Sequence, residues 1–346
     1  MYLKNMNMHD FSQNFNVIVN KDKFKNILET SSLELFRYPQ WKKKKLTKFI
    51  AKDLGLTETS IAIGNGTTEV IFTLPRIFDK KKALILSPSF WEYHEANKRY
   101  KDIKISFFQL KEADNFELNQ VKFERKIKEF STIYLCNPNN PTSTLIKKSF
   151  LVNIIKKNPR SIFIIDETYL IFREDYEKQT LSKEAALFNN LYIVTSFSKF
   201  FSIPGLRIGI LISNPTNIKR YNESSIPYLI NPMSEIIVPY LLNQKKLFKE
   251  TREFYKKQRA KVYELFLKNF DGKLKVYKPE ANFILIKIMT DLTSQEVVKK
   301  LRKKGIIIRD GTEFKSLENK YFRLAIKTDD EMTLLITSLK RIIDDN

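Results

Sequence analysis

Lys199 stands just past an apolar run, LYIVTS (191–196), with the hydroxyls of Ser196 and Ser198 close by in sequence. A lysine drawn partly out of water at the end of a buried strand gives up its proton more readily and becomes an amine nucleophile. The plainer alternative is a solvated lysine in a turn. Asp166 ends a second run, SIFIID (161–166). A buried carboxylate needs a cationic partner, and a protonated ring nitrogen is one that also makes a good electron sink. A helix cap or an internal ion pair is the alternative. TIYLC (132–136) leads into Asn137-Pro138-Asn139-Asn140-Pro141, whose prolines fix the turn and whose amides can donate from it. GNGTTE (64–69) precedes a helix-like stretch; its glycines allow tight turning, the first amides of a helix bind anions, and Thr67 and Thr68 add hydroxyls. It is neither a Walker loop nor a dinucleotide fingerprint. Arg207, in GLRIG, lies eight residues past Lys199 and is placed to face the same anion. Arg309 and Arg323 sit in apolar strand-like runs, where arginine is costly unless it meets an anion; an internal salt bridge satisfies that need for either one alone.

The elements that hold these residues can be read from periodicity. ALILS (83–87), TIYLC, SIFIID, LYIVTS and RIGILIS (207–213) are short and almost wholly apolar, with helix-like stretches such as Phe90 to Tyr100 and Lys147 to Lys157 between them. That alternation predicts a largely parallel sheet covered on both faces. After about Pro215 the pattern changes to two long helices (231–245 and 247–269) and then an α+β arrangement. The expected division is a large domain over 36–225 and a smaller one made from 1–35 together with 226–346.

Composition narrows the class. The 346 residues suffice for a large core; one cysteine, Cys136, forbids an internal disulfide, and with two histidines a zinc cluster is not expected. The chain has no run of apolar residues long enough for a membrane span and no secretory leader, so the expected location is the cytoplasm. The net charge of +22 comes from lysines scattered in short runs, such as 42–45 and 80–82, which reads as a solvated surface and not as a nucleic-acid footprint.

The order of the motifs is more specific than any one of them. Glycine turn, aromatic after a strand, NPNNP, strand-Asp, Ser-x-Ser-Lys, GLRIG and two late arginines together resemble the fold-type I pyridoxal-phosphate enzymes. Within these, the chain resembles the class I/II aminotransferase superfamily, in the branch of histidinol-phosphate aminotransferase and threonine-phosphate decarboxylase. The resemblance runs from DFSQNFN (10–16) to the final helix. It implies an α/β fold with a mostly parallel seven-stranded sheet, pyridoxal 5′-phosphate as cofactor, and a homodimer with shared sites. Lys199 would hold the cofactor as a Schiff base, Asp166 would pair with its ring nitrogen, and Tyr169 and Asn140 would contact its 3-oxygen. Phe90 would stack on the ring. Gly66, Thr67, Thr68, Ser196, Ser198 and Arg207 would line its phosphate, joined by Tyr38 of the neighbouring subunit. Arg323 would take the substrate carboxylate, Arg309 the substrate phosphate, and Asn14 would close over the carboxylate. No metal is implied.

DFSQNFN, FRYPQW, KEADNFEL (111–118), KFFSIPGLRIG and GIIIRD…YFRLAIKT look more like the decarboxylase. The expected reaction is decarboxylation of L-threonine or L-serine O-phosphate to an amino-alcohol phosphate. Two departures keep a second reading open, an aminotransferase using glutamate and a small phosphorylated keto or aldehyde substrate. The His-Gly-Gly segment usual in the decarboxylase is missing ahead of Asp10, and Tyr169 is the common aminotransferase choice.

Overall fold

The structure is a computed structural model that describes residues 8–40, 44–78 and 81–345; the lysine runs at 42–45 and 80–82 fall partly outside this set. A short strand, β1 (His9–Asp10), precedes the seven strands of the main sheet: β2 (Ile61–Asn65), β3 (Lys82–Ser87), β4 (Lys104–Gln109), β5 (Thr132–Cys136), β6 (Ile162–Asp166), β7 (Leu191–Thr195) and β8 (Ile208–Ile212). Their order is β2-β8-β7-β6-β5-β3-β4. The pairs from β4 to β7 are parallel, and β8 runs antiparallel to both β7 and β2. The five central apolar runs are the expected strands. β2 and β4 were not read as strands: IAIGN runs straight into a glycine turn, and KISFFQ is a half-buried edge.

Side chains alternate between two apolar layers, as the period of two requires. Ile133, Leu135, Phe163 and Ile165 face one layer. Tyr134, Cys136, Ile164 and Val194 face the other, under Val70, Ile71 and Leu74 of the helix Gly66–Ile77 and Tyr93 and Ala96 of the helix Glu92–Lys98. Burial on both sides explains why these strands are continuously apolar.

The smaller sheet is antiparallel and is built from β9 (Leu274–Val276), β10 (Phe283–Ile288), β12 (Arg309–Asp310) and β13 (Tyr321–Ala325), in the order β12-β13-β10-β9. Between β10 and β12 in sequence, β11 (Ile306–Ile307) pairs in parallel with β1. The strand-like run that carries Arg309, IIIRD (306–310), is thus split between two sheets. Beyond β1 the chain continues to bond with both parts: Phe11 O accepts from Ala325 N (2.8 Å), and Asn16 N donates to Lys199 O (3.1 Å). No helix among the described residues is long and apolar enough to cross a membrane.

Candidate active site

The parallel strands end along one edge of the main sheet, and the antiparallel β8 begins there. Asn137 to Asn140 follow β5, Asp166 closes β6, Ser196 to Lys199 follow β7, and Arg207 immediately precedes β8. This edge is where ligands bind in open α/β sheets.

Asp166 lies opposite Cys136 in register, so its side chain joins Tyr134, Cys136 and Ile164 on the face covered by Tyr93. The Tyr93 hydroxyl donates to Asp166 Oδ2 (2.8 Å), and Thr168 N donates to Oδ1 (2.9 Å). Asp166 takes part in no ion pair among the described residues. Burial pushes its carboxyl above the usual range, against the hydrogen bonds from Thr168 and Tyr93. A group of this kind fits a cationic ring nitrogen.

Lys199 is partly withdrawn from solvent, with its ammonium 4.4 Å above the Phe15 ring. Burial, followed by the charges of Arg323 and Arg207, lowers its pKa to about 8, while Glu92 opposes the shift. The amine is therefore poised as a nucleophile near neutral pH. Ser196 Oγ is anchored on Ile208 O (2.7 Å) and on Ser198 Oγ (3.0 Å), which fastens the turn carrying Lys199 to the start of β8.

Gly66 opens its helix at φ +75°, and a Cβ there would lie 2.2 Å from Arg207 Nη2. A Cβ on Gly209 would strike the Gly66 carbonyl and Thr67 N at about the same distance (2.4 and 2.5 Å). Gly66 N donates to Arg207 O (3.0 Å), and the two glycines let the helix start and the Arg207 guanidinium meet closely, an arrangement suited to a phosphate. Thr68 Oγ1 is turned to Glu92 Oε1 (3.0 Å).

Arg323 is 5% exposed and in register with Arg309 on β12. It donates from Nη1 to Asn140 Oδ1 (2.6 Å) and from Nη2 to Ser12 O, and its Nε has no hydrogen-bond partner among the described residues. Burial lowers its pKa to about 10, so it remains charged at neutral pH. Arg309 instead pairs with Glu313 (2.7 Å) at the surface. Asn14 is buried and donates to the Tyr169 hydroxyl (3.3 Å), while its own Oδ1 has no hydrogen-bond partner among the described residues. The N-terminal segment 12–16 therefore threads between Arg323, Tyr169 and Lys199.

Phe90 is half-buried and meets Tyr93 edge-on (5.7 Å). Tyr38 stands apart, 84% exposed, with its ring against Tyr228 (5.4 Å). Sequence reasoning passed over Tyr93, Glu92, Phe15 and the Ser12 carbonyl. Tyr93 lies three residues after Phe90, in the first turn of the helix Glu92–Lys98.

The family model for class I and II aminotransferases matches residues 3–339. The chain belongs to that family. Among curated relatives, it is 33% identical over 322 residues (90% of this chain, 85% of the relative) to a protein of Caldanaerobacter subterraneus subsp. tengcongensis that carries the provisional name threonine-phosphate decarboxylase. Among solved structures, it superposes on histidinol-phosphate aminotransferase from Clostridium acetobutylicum with a TM-score of 0.89 at 27% identity, covering 98% of this chain and 100% of that one. The fold is shared with the Sinorhizobium meliloti histidinol-phosphate aminotransferase solved with pyridoxal 5′-phosphate (TM-score 0.86, 17% identity, 98% and 91% coverage).

Members of this family depend on pyridoxal 5′-phosphate, and this chain is one of them. When bound, the cofactor supplies a conjugated electron sink for the bond that breaks at the substrate Cα. The residues fit it: a buried carboxylate lacking a cation, a lysine of lowered pKa, and a glycine cradle under an arginine.

Proposed function

We propose that the chain decarboxylates a phosphorylated amino acid, L-threonine O-phosphate or L-serine O-phosphate, to carbon dioxide and an amino-alcohol phosphate. The observation that supports this most is the register pair of arginines, Arg323 buried and Arg309 near the surface, opposed on neighbouring strands. Two guanidiniums at that spacing suit a small substrate with two anionic ends. The likeness to the decarboxylase-named relative supports loss of the carboxylate as the reaction.

In this reading Lys199 holds the cofactor and Asp166 keeps its ring nitrogen protonated, with Tyr93 orienting the carboxylate. Tyr169 and Asn140 contact the 3-oxygen, and Phe90 stacks on the ring. Gly66, Thr67, Thr68, Ser196, Ser198 and Arg207 surround the phosphate. Arg323 and Asn14 would hold the substrate carboxylate and so orient the bond that breaks, and Arg309 would exchange Glu313 for the substrate phosphate. Lys199 Nζ would donate the proton that replaces carbon dioxide at Cα. Positioning is the protein's main contribution. Tyr38, with Leu33, Leu35 and Phe36, forms an exposed apolar edge suited to a second copy of the chain, which would bring Tyr38 to the neighbour's cofactor phosphate.

The test is carbon dioxide release from O-phospho-L-threonine and O-phospho-L-serine with no keto acid present. A second reading, transamination of a phosphorylated substrate, is favoured by the Tyr169 hydroxyl in the site and by the likeness to the Clostridium acetobutylicum aminotransferase. It predicts no gas and a dependence on an amino-group acceptor.

A further inference from the structure

Glu92 is a buried carboxyl that none of the roles above uses. It sits two residues after Phe90 and one before Tyr93, and it is 9% exposed. Its Oε1 accepts from Thr68 Oγ1 in the first turn of the helix Gly66–Ile77 (3.0 Å). Its Oε2 is fully enclosed and has no hydrogen-bond partner among the described residues. The groups that face it come from three other elements: Asp166 at the end of β6, Arg207 before β8 and Lys199 after β7. On its own helix, His94 and Glu95 are engaged with each other (3.0 Å). Glu92 therefore lies where the ring end, the lysine and the phosphate cradle converge.

A free, ionised oxygen enclosed there is expensive, and a dianionic phosphate arriving beside it makes the charge more so. A carboxylic acid has a hydroxyl to donate and turns the same position into a favourable contact. We propose that Glu92 is a cofactor-binding residue that works as a neutral acid, accepting from Thr68 through Oε1 and donating from Oε2 to the phosphate of pyridoxal 5′-phosphate, so that cofactor binding takes up a proton at this side chain. Burial already raises the Glu92 carboxyl above its ordinary range, against the Thr68 hydrogen bond. The nearby anion raises it further, and linkage then ties affinity to pH.

The test compares wild type with Glu92→Gln, which keeps an acceptor for Thr68 and places a permanent donor at the other end. Apoprotein of each is titrated with pyridoxal 5′-phosphate between about pH 6 and 9, with proton uptake read by calorimetry in buffers of different ionisation enthalpy. Titration of the free cofactor is common to both proteins and drops out of the difference; Glu92 also raises the Lys199 pKa, so the phosphorus resonance, which reports the phosphate and not the lysine, separates the two titrations. The inference predicts that wild-type affinity falls relative to the variant as pH rises, by up to about tenfold per pH unit, with uptake of one additional proton by wild type. It also predicts that the bound cofactor's phosphorus resonance titrates in wild type and loses that step in Glu92→Gln. Parallel affinity profiles with equal proton uptake would overturn it. So would a variant that is folded by circular dichroism yet no longer binds the cofactor, since the site would then require the ionised carboxylate.

Discussion

The Tyr93 phenol reaches across the helix-covered face of the main sheet and donates to Asp166 Oδ2 at 2.8 Å. Both are buried, and Asp166 has no charged partner of its own among the described residues. Tyr93→Phe keeps the ring and removes the donor. Hydrogen bonds to charged groups are worth about 1.5–3 kcal/mol, so affinity for pyridoxal 5′-phosphate should fall about 10- to 100-fold. Fluorescence titration of the apoprotein measures this, with circular dichroism to show that the fold is intact.

Arg309 and Arg323 share a register position but differ in burial and partners. Arg309→Gln should raise KM for a phosphorylated substrate about 10- to 100-fold while leaving kcat near its wild-type value. Arg323→Gln should lower kcat as well, because it also removes the contacts to Asn140 and the Ser12 carbonyl. Steady-state kinetics on both variants separates the two roles.

Gly66→Ala forces a Cβ into the left-handed region and against Arg207. The backbone cost is about 1–2 kcal/mol, and the guanidinium must move off the helix start. Lower thermal stability and weaker cofactor binding are expected together. Ala at Gly55, also at positive φ but with open space around it, should show the stability loss alone.

These relationships were unequally legible in the sequence. Lys199, Asp166 and Asn140 could be placed because each ends or follows an apolar run whose length and composition mark a buried parallel strand. Motif order then supplied the rest of the expected site. Tyr93 and Glu92 were not singled out because their significance lies in what they touch, Asp166 in one case and Thr68 in the other. No spacing rule records a contact across 73 residues, or across 24. The split of IIIRD into β11 and β12 was hidden for a similar reason: β1, two residues long, pairs with one half, and β13 with the other. The strap through Ser12, Asn14 and Phe15 likewise depends on tertiary placement.

Lys199 should set a pH profile. Its pKa is lowered to about 8, mainly by burial and then by Arg323 and Arg207. The neutral amine is the reactive form, so the rate of covalent cofactor attachment should rise with pH and level off above about 8. Removing the Arg323 charge relieves one of the causes, and the midpoint of the profile should move to higher pH in Arg323→Gln. Stopped-flow absorbance of apoprotein mixed with cofactor reads both curves. Lys199→Ala should show no attachment at any pH.

The central claim, decarboxylation of a phospho-amino acid, is tested most directly by phosphorus NMR of the cofactor-loaded enzyme with O-phospho-L-serine and O-phospho-L-threonine, with and without a keto acid. The account predicts a phosphoethanolamine or aminopropanol phosphate resonance without any acceptor, and the relative rates rank the two substrates. An unchanged spectrum without acceptor, together with a keto-phosphate product when the acceptor is added, would contradict it and establish transamination.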